Sequence, residues 1–248
     1  MNINEASVLI TGGASGIGLH LAEGLLKKAS RVFVLDRNEE LLSQITSHER
    51  LIKLPCDVTN PHAVVEVVNK IFKDHGGVNV CINNAGIIHS ELLVNLGSAT
   101  EKTHSIENWK RVIDVNLNAV FYVTAPIVEK WVENRSKGLV INISSISAQG
   151  NLGQSAYSAS KAAVEALTKT WSREWGVFKI RSCCIAPGFF NTPSTRASLS
   201  ESTLGKWQKA VPLGRLGELK ELLTCTEFII ENDYFNGKVL SLDGGLTL

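Results

Sequence analysis

The chain has 248 residues, of which 44% are hydrophobic and 20% charged, a composition typical of globular proteins. Disordered, collagen-like and coiled-coil chains depart strongly from this composition, so these classes are excluded. Twenty-five Lys and Arg residues balance 24 Asp and Glu residues, for a net charge of +1. This balance gives no electrostatic reason to expect binding to nucleic acid or to an anionic membrane surface, and it favours a small-molecule partner.

The five cysteines are an odd number, which indicates free thiols rather than a disulfide framework. Four of them lie in apolar runs typical of strands, where a free thiol packs as a small hydrophobic group. The first residues lack the basic and apolar segments of a secretory signal, and no uninterrupted apolar run approaches the roughly 20 residues that span a bilayer. We therefore expect a cytoplasmic protein without a membrane anchor.

Short apolar runs alternate with amphipathic segments along the whole chain, a pattern typical of a mostly parallel sheet with helices on both faces. The seven predicted strands are Ser7–Gly12, Arg31–Asp36, Leu51–Val58, Asn79–Gly86, Leu139–Ser145, Lys179–Pro187 and Lys238–Asp243. The six predicted helices are Gly16–Ala29, Asn38–Thr46, Pro61–Asp74, Ile106–Asn134, Ala156–Trp175 and Glu218–Glu231. The fold class is therefore α/β, with one doubly wound, seven-stranded sheet. No linker or internal repeat divides residues 1–248, which predicts a single domain.

Two long segments fit neither a helix nor a strand pattern. They are residues 87–105 and residues 189–215, the second of which is polar and rich in Ser, Thr and Pro. Long loops in compact domains usually carry function. Each segment follows the carboxyl end of a predicted strand, where open parallel sheets bind their ligands. We expect both segments to wall the substrate side of a ligand site.

A glycine-rich turn, Thr11–Gly18, connects the first strand to the first helix. Its glycines, among them Gly12, Gly16 and Gly18, permit a tight turn and close approach of the backbone to a ligand. The helix amino terminus, which includes Ser15 and Ile17, offers unpaired N–H groups to a pyrophosphate. The alternative is a flexible turn without a ligand, which is disfavoured because an acidic residue also closes the second strand.

That acidic residue is Asp36, placed where a carboxylate can accept hydrogen bonds from the hydroxyl groups of an adenosine ribose. The same negative charge repels the 2′-phosphate of NADP(H) and so favours NAD(H). Arg37 could partly screen this repulsion, and Asp36 could instead cap the helix that begins near Asn38. NAD is therefore the expected cofactor, and NADP is the less favoured alternative.

Tyr157 and Lys161 lie four residues apart on a predicted helix and therefore share one of its faces. A tyrosine held there can exchange a proton with an alcohol or a ketone. Acting as a base near neutral pH requires its pKa to fall by about three units, or roughly 4 kcal/mol. One cation at about 4 Å, in an effective dielectric constant near 20, supplies roughly that energy. The alternative is a Tyr and a Lys on an ordinary helix surface.

Taken together, the motifs resemble the short-chain dehydrogenase/reductase family over the whole chain. The segments that carry the resemblance are Thr11–Gly18, Asn83-Asn84-Ala85-Gly86, Asn116, Ser145, Tyr157-Ser158-Ala159-Ser160-Lys161 and Pro187-Gly188. Within the family, residues 153–161, 185–188 and 229–239 and the long segment after Gly86 are most similar to the 3-hydroxyacyl-CoA dehydrogenase type 2 group. The resemblance implies a Rossmann domain that transfers a hydride between nicotinamide and a secondary alcohol, with a 3-hydroxyacyl thioester as one candidate.

The resemblance also implies roles for individual residues. Tyr157 would be the acid/base with Lys161 beside it, while Asn116 would position a water that connects the lysine to solvent. Cofactor contacts are implied for Asp57 and Val58 at the adenine, Asn83, Ala85 and Gly86 along the ribose, and Pro187, Gly188, Phe190 and Thr192 around the nicotinamide. Asp57 and Val58 could instead form a strand end and helix cap, and Asn83 could fix the backbone between neighbouring strands.

The serine that would hydrogen-bond the substrate oxygen is open between two neighbours. Strand alignment of residues 138–145 favours Ser145, although Tyr157 follows it by 12 residues, one fewer than is usual in the family, and Ser144 gives the usual 13. We favour Ser145 because a deletion in the following loop disturbs less than a slip that turns alternate strand side chains to the other face. Ser147 is a remote third choice.

The six histidines are scattered singly, without the close spacing of a zinc site, so no metal is expected. His89 and His104 fall within residues 87–105, where substrate contact is a minor alternative.

Trp207 is a candidate lid residue in the second long segment. As in the family, we expect a homo-oligomer, a dimer or tetramer, formed through the long helices and the final strand.

Other functions stay open at this point. The substrate could be a steroid, a sugar alcohol or a ketoacyl group on acyl carrier protein. A non-catalytic NAD(P)-sensing protein could have the same fold, although intact Ser145, Tyr157 and Lys161 argue against it. A sugar-nucleotide epimerase is disfavoured, because such relatives carry an additional carboxy-terminal substrate region for which 248 residues leave no room.

Overall fold

The computed structural model describes residues 1–97, 102–192 and 201–247, and for residues 201–204 only the backbone. The strands are β1 Ser7–Thr11, β2 Arg31–Asp36, β3 Leu51–Pro55, β4 Val80–Asn83, β5 Gly138–Ile143, β6 Ile180–Pro187 and β7 Val239–Leu242. These seven strands form one sheet in the order β3-β2-β1-β4-β5-β6-β7, with every pair parallel. This confirms the predicted doubly wound α/β fold. The chain changes winding direction between β1 and β4, where such sheets open a crevice for ligands.

Helices cover both faces of the sheet. Their bounds are α1 Gly16–Leu26, α2 Glu39–Gln44, α3 Pro61–His75, α4 Ile106–Ile113, α5 Ala119–Glu133, α6 Ser155–Trp175, α7 Glu201–Ala210 and α8 Leu219–Glu231. A π turn over Asp114–Asn118 joins α4 to α5, and a 3₁₀ turn over Ile146–Gln149 follows β5. The predicted helix Ile106–Asn134 is therefore interrupted near its middle.

Local side chains fix where several helices begin. Asn38 and Asn60 accept hydrogen bonds from backbone N–H groups of the first turns of α2 and α3, and Ser105 does the same for α4. Glu218 and Glu221 form a reciprocal capping box at the start of α8. These caps satisfy N–H groups that would otherwise lack partners, so the helix starts follow from the sequence.

The core consists of two apolar layers, one on each face of the sheet. Neighbouring residues of β1 enter different layers: Ile10 packs with α1 and α8, while Leu9 packs with α3 and α5. The alternation follows from the two-residue period of strand side chains. Because both faces are covered, polar groups for ligand binding are left to the strand ends and the loops that follow them.

Residues 189–215, predicted to be a loop, contain the helix α7. Their polar composition indicated a loop, but Trp207 of α7 packs its ring on Phe189, with 4.2 Å between ring centroids. Residues 98–101 and 193–200 of the two predicted loops lie outside the described residues.

The combined helix Ile106–Glu133 is the one span, within the described residues, that is long and apolar enough to cross a membrane. Its Val112, Val123, Ile127 and Trp131 are buried in the protein. A core helix passes the same test of length and composition, so this span is weak evidence for a membrane protein.

Candidate active site

A cleft of about 440 Å³ lies along the carboxyl ends of the central strands. The predicted site residues that line it are Gly12, Ser15, Gly16, Ile17, Asp36, Asp57, Val58, Ala85, Gly86, Ser145, Tyr157, Lys161, Pro187, Gly188, Phe190 and Thr192. The structure thus brings together residues that are far apart in the sequence. Three predicted residues, Gly18, Asn83 and Asn116, do not line the cleft.

The glycine turn is packed too tightly for side chains. Gly12 has a φ of +62°, and a Cβ there would lie 2.8 Å from the Cα of Ala85. A Cβ on Gly18 would collide with the carbonyl oxygen of Gly12. Gly18 therefore lets α1 pack against the turn rather than facing the ligand. Asn84, which the site prediction omitted, donates from Nδ2 to the carbonyls of Thr11 and Gly12 at 2.9 and 3.1 Å.

The start of α1 suits a pyrophosphate. Ser15 occupies the N-cap position in extended conformation, and its side chain makes no capping hydrogen bond. The first-turn N–H groups and the positive end of the helix dipole are thus directed at the cleft without a side-chain cap. Together with the glycine cradle, this end of the cleft fits the phosphate portion of a dinucleotide.

Asp36 faces the cleft and also holds the glycine turn. Its Oδ2 accepts a hydrogen bond from the backbone N–H of Ala14 at 3.1 Å, and its Oδ1 accepts one from Asn38 at 3.0 Å. Asn38, not Asp36, caps α2, because its side chain accepts from the N–H of Leu41. The neighbouring Arg37 also lines the cleft. The carboxylate is therefore oriented by the backbone before any ligand contacts it.

The implied adenine and ribose residues differ in their placement. Asp57 lines the cleft and accepts two hydrogen bonds from Thr59, which outweigh the effect of burial and lower the pKa of its carboxyl group. Asn83 is buried beneath the cleft, where its Nδ2 donates to Thr124 and to Asn142 at 2.9 and 2.8 Å. Its side chain ties β4 to β5 and α5. The Asn83 side chain therefore does not make the implied contact with the ribose. It joins neighbouring elements of the fold, which is close to the alternative role of fixing neighbouring strands.

Ser145 lies beside Tyr157 at the centre of the cleft. The Ser145 hydroxyl is close enough to the phenol to lower its pKa, and Ser145 Oγ accepts a hydrogen bond from the backbone N–H of Ser147 at 3.1 Å. Ser144 instead donates to Glu165 at 2.9 Å, away from the phenol. This geometry favours Ser145 over its two neighbours as the serine next to the reacting oxygen.

Lys161 approaches Tyr157 from below the ring. Its Nζ lies 5.8 Å from the ring centroid and donates to the carbonyl of Ile143 at 2.8 Å. Burial lowers the pKa of Lys161 to about 8. Burial also raises the pKa of Tyr157, although the neighbouring Ser145 hydroxyl opposes that shift. Lys161 is not among the groups that shift the pKa of the phenol in this arrangement, so the phenol is protonated at neutral pH, and the expected lowering of its pKa by Lys161 stays a prediction.

Asn116 lies in the π turn, fully buried next to the cleft. Its Oδ1 accepts from the backbone N–H of Ile87 at 2.8 Å, and its Nδ2 donates to the carbonyl of Ile87 at 2.9 Å. A Cβ on Gly86 would lie 3.4 Å from both Asn116 Oδ1 and Lys161 Nζ. The Asn116 side chain thus fixes the backbone of Ile87 in the segment after β4, and its implied role in positioning a water stays a prediction.

The reading of the histidines as scattered single residues is wrong for two of them. His89 Nε2 lies 2.8 Å from Glu91 Oε2, and His104 Nδ1 lies 3.7 Å from the same oxygen. His89, Glu91 and His104 lie within residues 89–104, but their spacing is neither that of one helix face nor that of one strand. Only the path of the folded segment brings them together.

Comparisons with known proteins identify the family of this chain. The short chain dehydrogenase family model matches residues 6–203. The chain belongs to the short-chain dehydrogenase/reductase family. It is 35% identical over 254 residues to 3-oxoacyl-acyl-carrier-protein reductase FabG of Chlamydia muridarum, with 98% of each protein covered. It is 34% identical over 251 residues to human 3-hydroxyacyl-CoA dehydrogenase type-2, covering 97% of this chain and 94% of the relative.

Solved structures show the same relationship. A short chain dehydrogenase from Bacillus anthracis superposes with a TM-score of 0.84 at 30% sequence identity, covering 98% of this chain and 97% of the other. This short-chain dehydrogenase/reductase is therefore an oxidoreductase of hydroxyl or keto substrates, in a family that uses NAD(P) cofactors.

Proposed function

We propose that this family member is an NAD(H)-dependent dehydrogenase and ketone reductase for a secondary alcohol, with a 3-hydroxyacyl thioester as the leading substrate class. The observation that carries the proposal is the juxtaposition of the Ser145 hydroxyl and the Tyr157 phenol in a cleft that begins at the glycine turn. A buried phenol beside a hydroxyl group is arranged to exchange a proton with an alcohol oxygen. A non-catalytic sensor has no need for this pair.

The proposed roles follow from the positions of the side chains. When bound, the nicotinamide supplies or accepts the hydride at the carbinol carbon. Tyr157 gives a proton to the substrate oxygen in reduction and, as the phenolate, takes that proton back in oxidation. Ser145 donates a hydrogen bond that stabilises negative charge on that oxygen. Lys161 supplies positive charge beneath the phenol. The nicotinamide would bind at the side of the cleft lined by Pro187, Gly188, Phe190 and Thr192, as the family resemblance implies.

The choice of NAD over NADP rests on Asp36. Its carboxylate lines the cleft at the end of β2, held by the N–H groups of Ala14 and Asn38. A carboxylate fixed there accepts hydrogen bonds from the ribose hydroxyl groups and repels a 2′-phosphate. Arg37 lines the same end, so the carboxylate and the guanidinium compete in this choice.

The substrate class rests on the rim of the cleft and on the relatives. Ile88, a lining residue, is 70% exposed, and Leu152, next to lining residue Asn151, is 87% exposed. Such apolar side chains at the mouth favour an acyl chain over a sugar. Two of the relatives are named for acyl thioesters, while gluconate 5-dehydrogenase of Gluconobacter oxydans, 32% identical, keeps a sugar acid as the second candidate.

The test is a panel of 3-hydroxyacyl-CoA thioesters, gluconate and steroid alcohols, each assayed with NAD and with NADP by the absorbance of reduced nicotinamide. We expect the highest kcat/KM with a thioester and NAD. A higher kcat/KM with NADP would overturn the cofactor assignment. Turnover of gluconate alone would replace the substrate class, and turnover of no panel member would overturn the proposed reaction.

The proposal also includes the setting in which the enzyme works. We expect a cytoplasmic enzyme with a small-molecule substrate. Its net charge of +1 gives no reason to expect binding to nucleic acid or to a membrane. The apolar side chains exposed on α4 and α5 support a homo-oligomer. Binding assays with duplex DNA and with anionic vesicles should both be negative.

A further inference from the structure

The segment after β4 folds back on itself beside the cleft. His104 donates its backbone N–H to the carbonyl of Leu93 at 3.0 Å, and Asn95 donates to Lys102 at 2.7 Å. These bonds pair the two arms of the segment in antiparallel fashion. The pairing places the side chain of His104, near the end of the segment, against that of Glu91, near its start.

The result is a compact cluster of two imidazoles and one carboxylate. His89 Nε2 is 2.8 Å and His104 Nδ1 is 3.7 Å from Glu91 Oε2, and one ligand atom from each residue lies within 4.8 Å of the other two. The two imidazole rings meet edge to face, with centroids 5.7 Å apart. The His104 side chain is 6% exposed, so the cluster has a buried side and an open side.

The backbone and neighbouring side chains hold these groups in place. Glu91 Oε1 accepts from the backbone N–H of Ser105 at 2.9 Å, which leaves Oε2 directed at the two histidines. His104 Nδ1 hydrogen-bonds to the carbonyl of Ser105 at 2.9 Å. A carbonyl partner on one ring nitrogen is the usual way in which a metal-binding histidine is oriented. In His104 the partner is on Nδ1, so Nε2 is the nitrogen left to bind a metal.

We propose that His89, Glu91 and His104 form a three-ligand site for a divalent transition metal, with Zn²⁺ as the best fit. Two imidazoles and a carboxylate are a ligand set that Zn²⁺ uses where a fourth position stays open to water. Mg²⁺ and Ca²⁺ prefer all-oxygen sites and are disfavoured. Zinc bonds of about 2.0–2.2 Å require ligand atoms roughly 3.5 Å apart. The ligand atoms here lie within 4.8 Å of one another, so binding requires the side chains to close in and the His104 ring to present Nε2 to the ion.

The ion would join the two arms of the segment to the catalytic helix. Glu91 donates its backbone N–H to Gly153 at 2.6 Å, and Ser90 accepts a hydrogen bond from Gln154. Gln154 lines the cleft directly before α6, which carries Tyr157. A metal at this cluster would therefore brace the wall of the substrate site and would not contact the reacting atoms.

Cysteine thiols do not compete with this site. All five cysteines, Cys56, Cys81, Cys183, Cys184 and Cys225, are buried, and burial raises the pKa of Cys81 and Cys184 to about 12. Deprotonated thiolates are the form that binds zinc. A stoichiometric zinc ion on the folded protein therefore reports on histidine and carboxylate ligands.

The test is zinc binding to the full-length protein after chelator treatment, measured by isothermal titration calorimetry and by competition with a chromophoric chelator. We expect one equivalent of Zn²⁺ per chain. Altered partners of metal ligands usually weaken binding about 10- to 100-fold, so removing a ligand in His89→Ala or His104→Ala should weaken it at least about 100-fold. The matched control is His62→Ala, since His62 is exposed on α3 and should leave binding unchanged.

Glu91→Gln separates ligation from folding, because a glutamine oxygen can still accept the N–H of Ser105 but lacks the ligand charge. Zinc affinity should fall while the circular dichroism melting curve without metal stays close to that of the wild type. Cobalt(II) substitution adds a signature, since loss of its visible absorption in both histidine variants ties the spectrum to these ligands. No stoichiometric binding by the wild type, or equal binding by the variants, overturns the site.

Discussion

At the scale of single residues, Tyr157 is buried beside Ser145, and burial raises its pKa. The phenol therefore carries its proton at neutral pH and is an acid for ketone reduction as it stands. Tyr157→Phe removes that proton while the ring keeps its packing, so kcat should fall by about 10³-fold with cofactor affinity retained. Tyr234→Phe, at a fully exposed position, is the control. Steady-state kinetics and tryptophan fluorescence titration with NAD measure the two effects, and wild-type turnover in Tyr157→Phe would refute the role.

The neighbouring serines offer a matched pair of substitutions. Ser145 lies beside the phenol in the cleft, whereas Ser144 donates to Glu165 and to the carbonyl of Lys161. Ser145→Ala should reduce kcat by about 10²- to 10³-fold, the usual loss for one donor to a developing oxyanion. Ser144→Ala should instead lower the free energy of unfolding by about 1–3 kcal/mol and leave kcat within a few-fold, because it breaks a buried hydrogen bond. The reverse pattern in kinetics and urea unfolding would assign the role to Ser144.

Lys161 gives a prediction about stability and pH. Burial lowers its pKa from 10.5 to about 8 in the folded chain, so between these values the unfolded chain binds more protons and wild-type stability rises with pH. Lys161→Met lacks this pH-dependent contribution to the free energy of unfolding. Its free energy of unfolding relative to the wild type should therefore drop by about 3 kcal/mol between neutral pH and about pH 10.5. Urea titrations of both proteins across this range measure it, and a pH-independent difference would contradict the lowered pKa.

The sequence predicts these residues unequally well. The four-residue spacing of Tyr157 and Lys161 follows from helix geometry, and the strand register led to Ser145. The bond from Lys161 Nζ to the carbonyl of Ile143 depends on how α6 packs against β5, which spacing does not reveal. The contact of His104 with Glu91 depends on a folded segment that has no periodicity.

At the scale of elements, the glycine turn depends on close packing with α1. A Cβ at Gly18 would collide with the Gly12 carbonyl and lie 2.5 Å from Asn84 Nδ2. Gly18→Ala should therefore lower the free energy of unfolding by about 1–3 kcal/mol and weaken NAD binding at least about tenfold, because the turn must open. Gly176→Ala is the control, since its φ is −55° and a Cβ there meets nothing within 4 Å. Calorimetric NAD titration and thermal melts test the pair, and equal NAD affinity in both variants would contradict the packing argument.

The π turn at Asp114–Asn118 is the element that sequence patterns could not predict. Apolar residues continue through Ile106–Glu133 at helical spacing, so the periodicity predicts one uninterrupted helix. The wider turn places the Asn116 side chain against the backbone of Ile87, where it makes two hydrogen bonds. π turns of this kind often occur at functional sites. The interruption results from contacts across the fold, not from local propensity.

At the scale of the whole molecule, the sheet follows from the alternation of apolar strands and amphipathic helices. Every strand was predicted within a few residues, because buried parallel strands read as short apolar runs and right-handed crossovers restrict their order. The strand ends were less exact: β3 ends at Pro55 and β4 at Asn83, before the site residues that follow them. Those residues leave the sheet to line the cleft. The helix within residues 189–215 carries Trp207, whose ring packs on Phe189, a contact that the polar composition of the segment does not reveal.

The last prediction concerns assembly. The helices α4 and α5 expose Ile106, Trp109 and Phe121, whose exposed fractions are 73%, 41% and 53%. Large apolar side chains on long helices are surfaces that a second copy can cover, which supports the expected dimer or tetramer. Phe121→Glu places a charge there and should weaken self-association at least about 30-fold, as loss of a central aromatic contact usually does. Val65→Glu is the control, since Val65 is 43% exposed on α3. Mass photometry over a dilution series measures both, and a wild type that is monomeric throughout would refute the assembly.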